Sequence, residues 1–210
     1  MHKFLLVLLA SAAITTSCSN DEEPLDAYQF SLAEITANAN GRAASMELDN
    51  GKELLLRSPI NGLKADSIYR IQALYVVGTD GKTSIKDVAS VLTPKVMKFS
   101  EEKHIYDALD VTTCWKGKHY INLRLAVKGS ATGVHYFGFN QTDFVTNANG
   151  SKTMKVHLVH NQNKDPLYYT RDTYLSLPLR PLANSLQNGR DSISLSVSTF
   201  EGEKCYIFAL

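Results

Sequence analysis

Apolar residues recur at every second position over most of this chain. Between Ile68 and Val77 one parity carries Tyr69, Ile71, Ala73, Tyr75 and Val77, and the other includes Arg70 and Gln72. From Tyr120 to Val127, Ile121, Leu123, Leu125 and Val127 alternate with Tyr120, Asn122, Arg124 and Ala126. Ile193, Leu195 and Val197 alternate with Ser192, Ser194, Ser196 and Ser198. A period of two sends successive side chains to opposite faces, so each run predicts a strand with one dry and one wetter face. The best helical candidate is Leu175 to Leu186, and Pro178 and Pro181 cut it short.

Turn signals separate these runs: Asp49-Asn50-Gly51, Asn61-Gly62, Asp80-Gly81, Asn149-Gly150 and Asn188-Gly189. Asn-Gly and Asp-Gly supply the positive φ angles that tight hairpins demand. Met46 to Arg57 therefore predicts a hairpin about Asn50-Gly51, and Ile68 to Val91 a second about Asp80-Gly81. The expected class is all-β. A boundary is expected near Pro94 to Ser100, where the polar Ser100-Glu101-Glu102-Lys103 begins. About five short strands before it suit a small barrel at 27–98, and about seven after it suit a β-sandwich at 99–210. One continuous sandwich is the alternative.

The first residues follow another logic. Lys3 is followed by an apolar and small-residue run from Phe4 to Ile14, then by Thr15, Thr16, Ser17 and Cys18. That order predicts a secretory signal over 1–17. As a helix, its run of about eleven residues reaches about half of a roughly 30 Å hydrocarbon core, too short to span it. Ile14-Thr15-Thr16-Ser17-Cys18 resembles a lipobox, with Thr15 where leucine is commoner, so Cys18 is the expected lipidation site. Ser19-Asn20-Asp21-Glu22-Glu23 opens an acidic tether over 18–26. It resembles the acidic export signal of Bacteroidetes lipoproteins; a plain solvated linker is the alternative. The address is the outer membrane, on its periplasmic leaflet or at the cell surface.

Charge narrows the partners. Lys3 is the one base within 1–17, which holds no acid, so 22 Lys and Arg fall to 21 against 21 Asp and Glu. A neutral chain without a basic run excludes a phosphate-backbone partner, so no nucleic acid is expected. No second apolar stretch of spanning length follows the signal, and the expected membrane link is through lipid. With Cys18 acylated, Cys114 and Cys205 remain as an even pair in an oxidising compartment. A disulfide tying the last strand to the sheet and two buried thiols are both open.

With the strands placed, the chain resembles the NigD-like lipoproteins of Bacteroidetes. The residues that carry the resemblance are Leu48-Asp49-Asn50-Gly51, Arg70 to Val77, Trp115 with Tyr120-Ile121-Asn122-Leu123, and Leu158-Val159-His160-Asn161 with Asp165 downstream. The resemblance implies an OB-like amino-terminal barrel followed by a carboxy-terminal β-sandwich. It implies no catalytic residues, and an immunity role only by association. Fold alone does not license function.

Candidate chemistry is sparse. His135, His157 and His160 form the best histidine cluster, but on a strand His157 and His160 have opposite parity and cannot chelate one ion without a bulge. His157 is expected to face solvent beside Lys155, and His160 to play a hydrogen-bonded structural role. The sequence contains no Gly-x-Ser-x-Gly elbow, Gly-rich phosphate loop or calcium loop. The paired Glu22-Glu23 and Glu101-Glu102 diverge on an extended chain and do not flank a bond. Aromatics remain: Tyr136, Phe137 and Phe139 near one turn, Tyr168, Tyr169 and Tyr174 near another. These either stack on a sugar or partner loop or fill the core. Asp66-Ser67-Ile68 and Asp191-Ser192-Ile193 match a short O-glycosylation pattern of Bacteroidetes. The expectation is a non-catalytic envelope lipoprotein, with no metal or cofactor, that binds an envelope protein or a glycan. A hydrolase whose site assembles from distant residues, and an immunity or assembly accessory, are the alternatives.

Overall fold

The computed structural model describes residues 27–98 and 105–210. The expected signal, Cys18, the acidic tether and Glu101-Glu102 lie outside the described residues.

Five strands, β1 (Gln29–Thr36), β2 (Ala43–Leu48), β3 (Glu53–Ile60), β4 (Ile68–Val77) and β5 (Thr83–Ser90), close into a barrel in the order β1-β2-β3-β5-β4. Both expected hairpins form, with Gly51 and Gly81 at φ 83° and 75° in their turns. β1 pairs with β4 over its whole length, from Gln29 opposite Tyr75 to Thr36 opposite Ile68. Closure is thinnest between β3 and β5, which meet in parallel at Leu56 and Thr83. Ala33, Ile35, Met46, Leu54, Ile71 and Tyr75 fill the interior.

The sandwich has β6 (Val96–Met97), β7 (Asp110–Lys116), β8 (Tyr120–Gly129), β9 (Tyr136–Thr146), β10 (Lys152–Asn161), β11 (Tyr169–Pro178), β12 (Ser192–Thr199) and β13 (Gly202–Ala209). One sheet runs β13-β12-β10-β9-β6 and the other β11-β8-β7. Ile121, Leu123 and Leu125 of β8 face Met154, Val156 and Leu158 of β10 and Ile193, Leu195 and Val197 of β12 across the core. Burying each such side chain contributes about 1.5–3 kcal/mol relative to exposure.

Two expectations are corrected, and of the two open readings for the cysteines the free thiols are found. The domain boundary lies before 98, because Val96 and Met97 already pair with Phe139 and Asn140 of the sandwich. The helical candidate at Leu175 is the end of β11, which pairs through Leu177 opposite Ile121; only Arg180–Leu182 coils, as one 3-10 turn. Cys114 and Cys205 are free thiols, not a disulfide. Cys114 packs on the sandwich core, whereas Cys205 is exposed with Sγ 3.1 Å from Ser194 Oγ, so the two side chains project from different sheets.

The wetter face of β8 is not wet throughout, because the barrel covers part of it. Asn122 and Ser176 are fully buried there. Arg70 of β4 reaches across the junction, its side chain 2% exposed, and donates to Asp49 Oδ2 and Asn122 Oδ1, both at 2.8 Å. Ser176 Oγ donates to Asn122 Oδ1 at 2.7 Å, and Asn122 Nδ2 donates to Asp49 Oδ2 at 2.8 Å. The Arg70 guanidinium also lies 4.3 Å from the centre of the Tyr120 ring, in cation–π range. Beside it, Glu34 accepts from Tyr120 Oη at 2.8 Å and from both terminal nitrogens of Arg180. Burial alone would raise the Glu34 carboxyl; hydrogen bonds from Arg180 and Tyr120 outweigh it and hold it below its ordinary value. Burial, with the bond to Glu34, pushes the Tyr120 phenol up to about 12. Arg70, Asp49, Asn122, Ser176, Glu34 and Tyr120 thus each meet a partner, as burial in a low dielectric requires.

Candidate functional site

The end of the sandwich away from the barrel is built by two crossing loops. Residues 130–135 carry the chain from β8 to β9, and 162–168 from β10 to β11. In the second loop Asn163 and Lys164 adopt left-handed backbone, with φ 54° and 60°. Asn161 Oδ1 accepts from the Asn163 amide at 2.7 Å, and the Asp165 amide donates to Gln162 O at 3.0 Å. This turn aims the Asp165 carboxylate inward.

The first loop wraps that carboxylate. The Ser130 amide donates to Oδ2 at 2.9 Å, Ser130 Oγ to Oδ1 at 2.5 Å, and His135 Nε2 lies 3.0 Å from Oδ2. A Cβ at Gly133 would coincide with the carboxylate, and one at Gly129 would crowd both it and His135. Glycine is needed here for close approach. The two hydrogen bonds from Ser130 are the main reason the Asp165 carboxyl sits below its ordinary value. Arg171 donates to Gly133 O at 3.1 Å and closes the loop against β11.

The chain of contacts continues inward. His135 Nδ1 lies 2.9 Å from His160 Nε2, and His160 Nδ1 lies 2.9 Å from Asp107 O. A carbonyl only accepts, so His160 Nδ1 carries a proton and, in the neutral ring, Nε2 accepts. His135 Nδ1 faces that nitrogen and His135 Nε2 faces the Asp165 carboxylate, so the His135 ring bridges Asp165 and His160. Burial holds His160 below its ordinary value, with further lowering from the neighbouring His135 charge against raising contributions from Asp107. Phe137 covers the pair, its ring 5.0 Å from that of His160 and nearly parallel to it.

The cluster ties the two loops together: both imidazoles are buried, and the Ser130 hydroxyl donates to Asp165 instead of facing an imidazole. His157 does not join. It lies on the opposite face of β10 from His160, stacked 4.1 Å from the Tyr106 ring and 3.1 Å from Ser198 Oγ. It is half-buried under Tyr106 rather than open to solvent as expected. Among the described residues no group of three or more His, Cys, Asp or Glu is placed to hold a metal.

Above the brace the loops present an apolar rim. Tyr168 is 76% exposed, with Leu167 and Tyr169 exposed on either side of it in sequence, and Val134 and Tyr136 are exposed at the end of the other loop. Phe200, in the turn after β12, is exposed at the same end, with Lys128 Nζ 4.6 Å from its ring centre. The other expected aromatics go elsewhere: Phe139 fills the core and Tyr174 meets Phe30 of the barrel, ring centres 5.7 Å apart. Of the two glycosylation patterns, Asp66-Ser67 sits in an exposed turn. Asp191 is buried, accepting from the Lys152 and Gln187 amides, and Ser192 is paired within the sheet. The pairing of Asp165 with Gly129 and Gly133 was missed from sequence; its only local sign is two glycines four residues apart around Ser130.

Residues 93–210 match the family model described as the NigD-like C-terminal beta sandwich domain. Among curated protein sequences none matches. Several solved structures share the fold, and three show the likeness. One is of a NigD-like immunity protein from Bacteroides caccae, with TM-score 0.65 and 22% identity over 86% of this chain and 91% of that one. A second is of a protein of unknown function from Bacteroides vulgatus, with TM-score 0.63 and 19% identity over 87% and 91%. The third, from Bacteroides fragilis, is assigned as a lipoprotein, with TM-score 0.59 and 13% identity over 85% and 97%.

Proposed function

The chain belongs to the NigD-like family, and from that premise we propose that it is a lipid-anchored, non-catalytic protein of the outer membrane that binds an envelope protein or glycan. Support for the anchor comes from the signal pattern ending at Cys18 and from the lipoprotein assignment of the Bacteroides fragilis neighbour. No helix among the described residues is long and apolar enough to cross a membrane. The observation that carries the binding role is the rim around Tyr136 and Tyr168, held on loops that the Asp165–His135–His160 chain fixes from beneath. Exposed aromatics on a braced scaffold lose little conformational entropy on contact. Buried imidazoles without a reachable substrate atom offer nothing to acid–base catalysis.

The test is photo-crosslinking in cells with a benzophenone amino acid at position 168, and at position 87 on the barrel as control. A discrete adduct at 168, absent at 87 and lost when Tyr136 is changed to Ala, is expected. No adduct at 168, together with glycan binding that ignores Tyr136→Ala and Tyr168→Ala, would sink the rim as the binding site. Ester or glycoside turnover abolished by His135→Gln would overturn the non-catalytic role.

A further inference from the structure

A concave site of about 250 Å³ opens at the barrel end of the sandwich, away from the rim, where the first hairpin of the barrel meets β7. Leu32 and Leu48 of the barrel give it apolar walls, and Ser31, Asp49 and Asn50 give polar ones. The sandwich contributes Trp115, the one tryptophan of the chain. Borders between domains are a common setting for ligand sites.

The fold brings these groups to one space. Trp115 stands opposite Asn122 in the β7–β8 ladder and so shares the junction face with it, whereas its neighbour Cys114 packs on the sandwich core. β7 is the outer strand of its sheet, which leaves the indole half-buried at the open side of the junction. A Cβ at Gly117 would lie 2.8 Å from Asp49 Cγ, so the turn after β7 seats against Asp49 with no room for a side chain at 117. Arg70 and Asn122 hold the Asp49 carboxylate from within, and its side chain keeps 19% of its surface exposed. Asn50 Oδ1 accepts from the Lys52 amide at 2.9 Å, which leaves the amide nitrogen of this exposed side chain as a donor. Ser31 Oγ lies 3.3 Å from Tyr75 Oη.

Asp49 is the charged residue of this lining, and Arg70 pairs with it; Lys118, which lies over Gly51, is paired with Glu47. The site therefore offers an aromatic ring, acceptors and donors, with its charge balanced. A pyranose has the matching chemistry, a face of C–H groups that stacks on an aromatic ring and a girdle of hydroxyls that both donate and accept. We propose that this pocket binds one neutral pyranose ring of a glycan, its C–H face on Trp115 and its hydroxyls on Asp49, Asn50 and Ser31. The site shares no residue with the rim, and its failure leaves the binding role of the rim untouched.

Trp115 reports on its own site. The experiment is titration of the unlipidated Cys18→Ala chain, followed by tryptophan emission, with the methyl glycosides of mannose, galactose and N-acetylglucosamine; glycerol and cyclohexanol are the controls. A saturable change in emission with at least one glycoside, unmoved by raised salt and absent with both controls, is expected. In calorimetry Trp115→Ala should abolish that binding and Trp115→Phe should keep part of it. Asn50→Ala, at an exposed turn position, should weaken it roughly tenfold with the circular dichroism of the fold intact. Tyr168→Ala should leave it unchanged; loss there would move the sugar to the rim and overturn the assignment. No response to any of the three glycosides, equal binding of cyclohexanol, or an affinity that ignores Asn50→Ala and both Trp115 variants would also overturn the proposal.

Discussion

Gly133 lies so close against the carboxylate of Asp165 that the backbone of one loop and the side chain of the other leave no room for a Cβ between them. The contact fixes residue identity at 133 through space rather than through backbone angle. Gly133→Ala should destabilise the protein by about 2–4 kcal/mol, the cost of overpacking plus displaced hydrogen bonds. Urea unfolding checks this, and a midpoint unchanged from wild type would show that the loop accommodates the methyl group.

Arg70 should prove the most sensitive polar residue. Arg70→Met leaves Asp49, Asn122 and Ser176 without their shared donor and should cost about 3–5 kcal/mol, as removing one partner of a buried charged group does. Arg70→Lys should rescue little, because a single ammonium cannot serve Asp49 and Asn122 where one terminal nitrogen of Arg70 does, Ser176 where Nε does, and also lay a planar face over Tyr120. Guanidinium unfolding of the three proteins measures both; rescue by lysine would reduce the junction to simple charge pairing.

Acid should act in two stages. His157 and His160 are both held below their ordinary 6.5, chiefly by burial. Between the folded and unfolded values the unfolded chain binds more protons, so this contribution is complete above 6.5 and declines as pH falls below it. Glu34, Asp165 and Asp191 are lowered from 4.5, 3.8 and 3.8, so their contribution persists through that range and declines only at more acid pH. Denaturation midpoints should be flat above neutrality, fall through the histidine range, then fall again. His160→Gln should flatten the first stage; a first stage identical in that variant would assign it elsewhere.

The two cysteines should react unequally. Cys205 is exposed, whereas burial pushes the Cys114 thiol up to about 12. The thiolate is the reactive form. Ellman's reagent should therefore titrate one thiol of the native unlipidated Cys18→Ala chain quickly and the second only on unfolding. Fast reaction of both would mean that β7 opens readily.

Cys18→Ala should abolish incorporation of labelled fatty acid and release the protein from membranes, as expected where acyl chains supply the membrane affinity. Fractionation with metabolic labelling reads both, and persistent labelling would remove Cys18 as the acylated residue.

Much of the fold was legible because a strand with one buried face writes its period into the sequence. The serines of β12 alternate with Ile193, Leu195 and Val197, and that alternation is the burial pattern of the strand. Asn50-Gly51 likewise announced its hairpin through the angles the turn needs. Asn122 and Ser176 show the limit. Their polarity reads as solvent exposure, and nothing local records that Arg70 will cover them. At Leu175, apolar spacing compatible with a short helix served a strand buried on the core side and capped by the barrel on the other. His160 was legible as a hydrogen-bonded structural residue, but its partners His135 and Asp165 stand on separate loops, where periodicity carries no information. Asp165 entered only through family resemblance, without the glycines that make room for it.

The Arg70 junction has a mechanical consequence. The guanidinium grips both domains and Glu34 is clasped by Tyr120 and Arg180, so the barrel is held against one end of the sandwich. The standoff between the junction and the tyrosine rim is then set by the ten residues of β8, roughly 30 Å at about 3.3 Å per residue, and whatever meets the rim must come to that height.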